Sequence, residues 1–157
     1  MESDVEDESA RELTIIRVFD VPARILFLAC SKPEHMREWF GPTGFPLTTC
    51  EMDFRVGGRF RFAMTGPDGA KTPFFGGEYL QIEPNRRISY TSCLELPGAE
   101  TMIVTLSFDE VGGTTTLTHH TLFASIAMMK QHTGMGYRPG VESGLDQLGR
   151  LATELNS

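Results

Sequence analysis

Apolar and polar positions change their period several times along the chain. In residues 13–19, Leu13, Ile15, Arg17 and Phe19 alternate with Thr14, Ile16 and Val18; both sets are partly apolar, so the period of two predicts a strand without saying which face is buried. The period then lengthens. Pro22 suits a helix's first turn, and Ile25, Leu26, Leu28 and Ala29 recur at helical spacing. Ser31 and Glu34 stand three apart in the pattern of a capping box, with Pro33 between them, and predict a second short helix carrying His35, Met36, Trp39 and Phe40. Gly41-Pro42 stops it. Helices this short are not stable alone and must pack on something.

From Pro46 the period of two returns. Phe60, Phe62 and Met64 alternate with Arg59, Arg61 and Ala63, the pattern of a half-buried antiparallel strand. Gly57-Gly58 is expected at a turn or bulge before it, with a positive φ or another backbone close by, and Gly76-Gly77 at a bulge or close approach. Turn signals at Gly66-Pro-Asp-Gly, Pro84-Asn-Arg and Gly112-Gly113 separate further strands, among them one with Met102, Val104, Leu106 and Phe108 on one side. At the end, Val141, Leu145, Leu148, Ala152 and Leu155 follow helical spacing, joined by Leu151. Gly144 adjoins that stripe, where it can let the helix approach the sheet. Pro139 is expected to kink any helix running through it, with a shorter helix before it joined through Gly134. The predicted order is a strand, two short helices, six antiparallel strands and a long helix. This is an α+β fold in which a seven-stranded antiparallel curved sheet wraps the C-terminal helix and leaves a hollow.

Composition sharpens this picture in two places. The 157 residues, 40% hydrophobic, suffice for one domain with its own core. The formal charge of −7 is uneven: residues 1–12 hold six acids against Arg11, leaving a body of only −2. Residues 1–12 therefore read as an acidic, solvated tail, and residues 13–157 as the domain. No basic patch suggests nucleic acid, no apolar run is long enough to span a membrane, and no signal-peptide pattern opens the chain, which fits a cytoplasmic protein. Cys30, Cys50 and Cys93 are few, odd in number and widely spaced, and read as reduced core thiols.

The motifs together resemble a known family. Arg17, Phe19 and Pro22, followed by Trp39-Phe40-Gly41-Pro42, are similar to the opening of the bacterial homologues of the activator of the heat-shock-protein-90 ATPase. The stretches DFRVGGRFRFAMTGPDG, GGEYLQIEPNRRISYTS and GMGYRPGVESGLDQL resemble its later motifs in the same order, over residues 13–155. Gln81 stands where an acidic residue is frequent in the family. The resemblance implies the START-like, SRPBCC helix-grip fold of the birch pollen allergen. It further implies a ligand pocket between sheet and helix; the co-chaperone role in the family's name belongs to longer eukaryotic chains.

The candidate chemistry is sparse. His119 and His120 are adjacent on a strand, so their side chains point to opposite faces and cannot share a metal; His119 has the parity of Leu117 and Phe123 and faces inward. Glu51 and Asp53, beside Arg55, read as a solvated charged face. No nucleophile elbow or phosphate loop occurs, and no catalytic residue, cofactor or metal ligand is assigned. The expected ligand-binding residues are Trp39, Phe40, Phe60, Phe62, Tyr90, His119 and Met135, around one mainly apolar cavity. Three readings stay open: a module binding a small apolar or amphipathic molecule, a cyclase- or hydrolase-like enzyme using His119, Tyr79 or Tyr90, and a protein-partner domain. A homodimer and a chaperone complex are the protein partners to consider.

Overall fold

The computed structural model describes residues 8–157. The expectation for an acidic tail falls largely on residues 1–7, outside the described residues. A short turn of 3-10 helix, Glu8–Arg11, leads into β1, Glu12–Phe19. Two helices follow, α1 (Ala23–Ser31) and α2 (Pro33–Trp39). Then come β2 (Leu47–Met52), β3 (Arg59–Met64), β4 (Phe75–Glu83), β5 (Arg87–Leu94), β6 (Met102–Val111) and β7 (Thr114–Leu122). The chain ends in α3 (Ile126–Gly134) and α4 (Tyr137–Leu155). The strands form one antiparallel sheet in the order β1-β7-β6-β5-β4-β3-β2. It is the curved sheet with a long C-terminal helix expected from the element order.

The inner face is built by alternation. In β1 it is Ile15 and Phe19 that are buried, whereas Ile16 and Val18 are more than half exposed, which settles the face that the sequence left open. Phe60 and Phe62 of β3, Tyr79 of β4, Ile88 of β5, Val104, Leu106 and Phe108 of β6, and Leu117 of β7 complete the buried side. α4 lays Leu145, Leu148, Leu151 and Ala152 into the same core. Each buried leucine contributes about 2 kcal/mol of transfer free energy. Gly144 lies against the end of α2: a Cβ there would sit 3.4 Å from the Trp39 carbonyl oxygen.

Two helix boundaries differ from expectation. Ser31 does not cap α2: it is the last residue of α1, and its hydroxyl donates to the Leu28 carbonyl. Lys32 is the cap residue instead, in extended conformation, and Pro33 opens the helix where its missing N–H costs nothing. Pro139 produces no kink in mid-helix. The break lies earlier, at Gly136 with φ +90°, so α4 starts at Tyr137 and Pro139 falls in its first turn.

The turn between β2 and β3 also places a residue of the inner face. Gly57 has φ +85°, and a Cβ on Gly58 would fall 2.0 Å from the Asp53 carbonyl oxygen. Gly57 N–H donates to the Tyr79 carbonyl at 2.8 Å, and Tyr79 N–H donates to the Gly58 carbonyl at 2.9 Å. Turn and tyrosine are thus fixed to one another.

Candidate functional site

The helix pair closes over the inner face of β3, β4 and β5, and a small cavity remains between them. Its volume, measured as space open to the centre of a water molecule, is about 20 Å³. Cys30, Met36, Trp39 and Phe40 line it from the helices. Phe60 and Phe62 on β3, Tyr79 on β4, Ile88 and Tyr90 on β5, and Leu106 on β6 form the opposite wall. No charged side chain borders it.

Trp39 belongs to both core and wall. It is 6% exposed, and its indole N–H donates to the Ala29 carbonyl at 2.9 Å, which ties α2 to α1. Its ring meets Phe40 edge-on at 5.7 Å. Phe40 in turn contacts Phe62 at 5.4 Å and stacks on Phe75 at 6.2 Å. Phe60 holds Phe62, Tyr79 and Tyr90 within 4.8 to 5.5 Å between ring centroids. Such pairs add about 1 kcal/mol each beyond the area they bury.

The polar points in this wall are weak acids held protonated. Burial pushes the Cys30 thiol up to about 12. It also raises the Tyr79 and Tyr90 phenols well above their ordinary value, with neighbouring ionisable groups adding to the effect. Neither phenol finds a hydrogen-bond partner among the described residues, whereas Tyr137 Oη pairs with Thr121 Oγ1 at 2.8 Å. The site therefore offers hydrogen-bond donors and no ready nucleophile.

Of the residues named from the sequence, Trp39, Phe40, Phe60, Phe62 and Tyr90 surround this cavity, and His119 and Met135 do not. His119 faces inward and is 8% exposed, but it stands opposite Leu106 and Ile15, one strand beyond the cavity wall. Its Nδ1 is buried with no hydrogen-bond partner, and burial lowers its pKa to about 4. Met135 caps α3 and is 79% exposed, because the chain turns at Gly136 and carries it out to solvent. The expected ligand-binding set passed over Cys30, Met36, Ile88 and Leu106, and Tyr79, which was named only for the enzyme reading, lines the cavity too. Met36 was within reach, since it precedes Trp39 by three on α2.

The other candidates lie elsewhere. His120 is on the outer face and pairs with Glu12 at 2.8 Å. Asp53 pairs with Arg55 at 2.8 Å on the surface, and Glu51 is exposed. All three cysteines are free, Cys30 and Cys50 buried. Among the described residues, no group of three or more His, Cys, Asp or Glu side chains converges as a metal site, and no helix is long and apolar enough to cross a membrane.

A seven-stranded antiparallel sheet gripping a long helix, with an aromatic-walled cavity under a helix pair, defines a START-like, helix-grip protein. The chain belongs to the family described as Activator of Hsp90 ATPase homolog 1-like protein, whose model matches residues 20–153. A fold of this family is in general a ligand-binding scaffold. Among solved structures, a protein from Mycobacterium smegmatis is similar at 27% identity and TM-score 0.82, over 97% of this chain and 98% of that one. A protein from Arthrobacter aurescens has TM-score 0.86 at 22% identity, covering 96% of this chain and 90% of that chain. One from Nitrosomonas europaea has TM-score 0.83 at 23% identity, covering 94% and 97%. No curated protein matches the sequence.

Proposed function

We propose that the cavity beneath α1 and α2 binds a small, neutral, mainly apolar molecule that carries a hydrogen-bond acceptor. The observation behind this reading is the pair Tyr79 and Tyr90, which both line the cavity and whose hydroxyls have no hydrogen-bond partner among the described residues. A ligand acceptor placed beside these hydroxyls would take a hydrogen bond that only water can otherwise supply there. A carboxylate fits poorly, since no cationic side chain lines the cavity to offset its desolvation. Aromatic walls favour a planar ligand. At about 20 Å³ the closed cavity has room for about one water, so a ligand enters by displacing side chains of the wall.

The family description names an activator of the Hsp90 ATPase. A chaperone contact would use the surface, whereas the unpaired tyrosines lie in the interior, and they support the binding module over the partner domain. The protonated thiol and phenols favour binding over an enzymatic reading for the same reason: they donate hydrogen bonds.

The test combines two measurements. Native mass spectrometry of protein purified from its own host should find a neutral small molecule retained. Thermal melts should then show stabilisation by neutral aromatic ketones and quinones, none by fatty acids, and a reduced effect in Tyr90→Phe. Retention of a fatty acid, or equal stabilisation of wild type and Tyr90→Phe by every ligand, would defeat the reading.

A further inference from the structure

We propose that Phe40 is the gate of this cavity, its ring swinging on a backbone that Gln147 holds in place, so that a ligand passes between Phe40 and Tyr90. The proposal rests on the ligand-site reading above and names its entrance.

The mouth is located by exposure. Of the side chains lining the cavity, Phe40 and Tyr90 are only partly buried, and the others are buried. Tyr90 is the fixed side. It lies in mid-strand, paired with Tyr79 across one edge and Val104 across the other, and its ring stands edge-on to Phe60 at 5.3 Å.

Phe40 is held in two different ways. Its backbone is pinned: Phe40 N–H donates to the Met36 carbonyl at 2.9 Å. Gln147 Nε2 donates to the carbonyls on either side, Trp39 at 3.1 Å and Gly41 at 2.6 Å. Thr43 N–H donates to Ser143 Oγ at 2.9 Å just beyond. Gly41 has φ +98°, and an added Cβ would fall 2.4 Å from the Phe45 carbonyl oxygen, so only glycine fits this turn beside Phe40. The Phe40 ring, by contrast, is held by apolar packing, including its contacts with Trp39, Phe62 and half-buried Phe75. Moving the loop breaks a set of hydrogen bonds at once, while rotating one ring exchanges weak dispersion contacts for others. The ring is therefore the part that moves, and its departure enlarges the cavity from the mouth side. Gln147, which touches no ligand, acts as a positioning residue.

The direct test places 4-fluorophenylalanine at position 40 of the whole chain, and in a second sample at position 60. Fluorine spectra should show exchange broadening at 40 and a single sharp environment at 60. The second measurement follows entry of Nile red, a neutral planar dye with a carbonyl, by stopped flow. Phe40→Leu and Phe75→Leu should raise its association rate by about fivefold or more, as a larger open fraction requires, and Gln147→Leu should spread the position-40 fluorine signal over several environments. A sharp signal at 40 that stays sharp with dye, or an entry rate unchanged in both leucine variants, overturns the gate. Should Nile red bind none of these proteins, the ligand-site reading is what suffers, and the fluorine spectra still decide whether the ring moves.

Discussion

His119 sits on the inner face of β7 in a setting that suits only its neutral form. Its register partners are Ile15 and Leu106, and its buried Nδ1 has no hydrogen-bond partner among the described residues. Burial lowers its pKa from 6.5 to about 4. In the unfolded chain the imidazole takes up a proton near its ordinary pKa, and in the folded chain it does so only near 4. Between those values the unfolded state binds more protons, so stability is complete above about pH 6.5 and is lost as pH falls toward 4. The loss expected from this group is roughly 3 kcal/mol. Urea midpoints at pH 7 and pH 4.5 measure it. In His119→Leu that pH dependence should shrink by most of this amount; an equal loss in the variant would show that other groups carry it. Trp39 shows the opposite solution to burying a polar atom, since its indole N–H reaches the Ala29 carbonyl and holds the helix pair together. Tyr79 and Tyr90, whose hydroxyls also have no hydrogen-bond partner among the described residues, line the cavity instead.

At the scale of elements, two glycines have opposite expected effects. In the β2–β3 turn, Gly58 faces the Asp53 carbonyl oxygen at 2.0 Å from an added Cβ, so Gly58→Ala must shift backbone that also carries Tyr79. A loss of about 2 kcal/mol or more in chemical denaturation is expected. Gly149 of α4 meets only the Phe19 ring, at 3.4 Å, an ordinary contact. Gly149→Ala should therefore stabilise by up to about 1 kcal/mol, and a destabilised variant would show that the ring cannot give way. These elements also show how far the sequence could be read. Alternation put Phe60 and Phe62 of β3 on the inner face, and it put His119 of β7 there too. But a period of two specifies a face and not a column: which strands lie under the helix pair depends on the order β1-β7-β6-β5-β4-β3-β2, in which β7 stands two places from β5. Met135 was placed by its position before the long helix. The left-handed turn at Gly136 that carries it outward depends on one backbone angle, which neither spacing nor residue type fixes. The false cap at Ser31 has a similar origin, because a serine hydroxyl can close the end of one helix as readily as it opens the next.

Across the whole molecule the sheet is tied together unevenly, and the cavity lies on the weaker side. β6 and β7 pair without interruption from Ile103↔Leu122 to Val111↔Thr114, and β7 and β1 from Glu12↔Leu122 to Phe19↔Thr115. β3 meets β4 only from Arg59↔Glu78 to Phe62↔Phe75, and β4 slips register against β5 between Tyr79 and Gln81. β2 pairs with β3 through a further irregularity between Leu47 and Thr49 and is an edge strand. Phe60 and Phe62 of the aromatic wall thus belong to the strands with the shortest and most irregular pairing, and the long ladders lie on the other side of β5. For a ligand larger than the space that movement of the Phe40 ring would free, this seam is where the wall would give first. Amide hydrogen exchange of the whole chain gives the measurement. Protection should be highest in β6 and β7, where opening requires global unfolding, and lower by a factor of about ten or more in β2 and β3, where opening is local. Added ligand should slow exchange chiefly in β3, β4 and α2, since it binds the closed form across the seam. If β2 and β3 were protected as strongly as β6 and β7 without ligand, the two halves would open as one unit. The cavity could then not enlarge along that seam, and its capacity would be limited to the movement of single side chains.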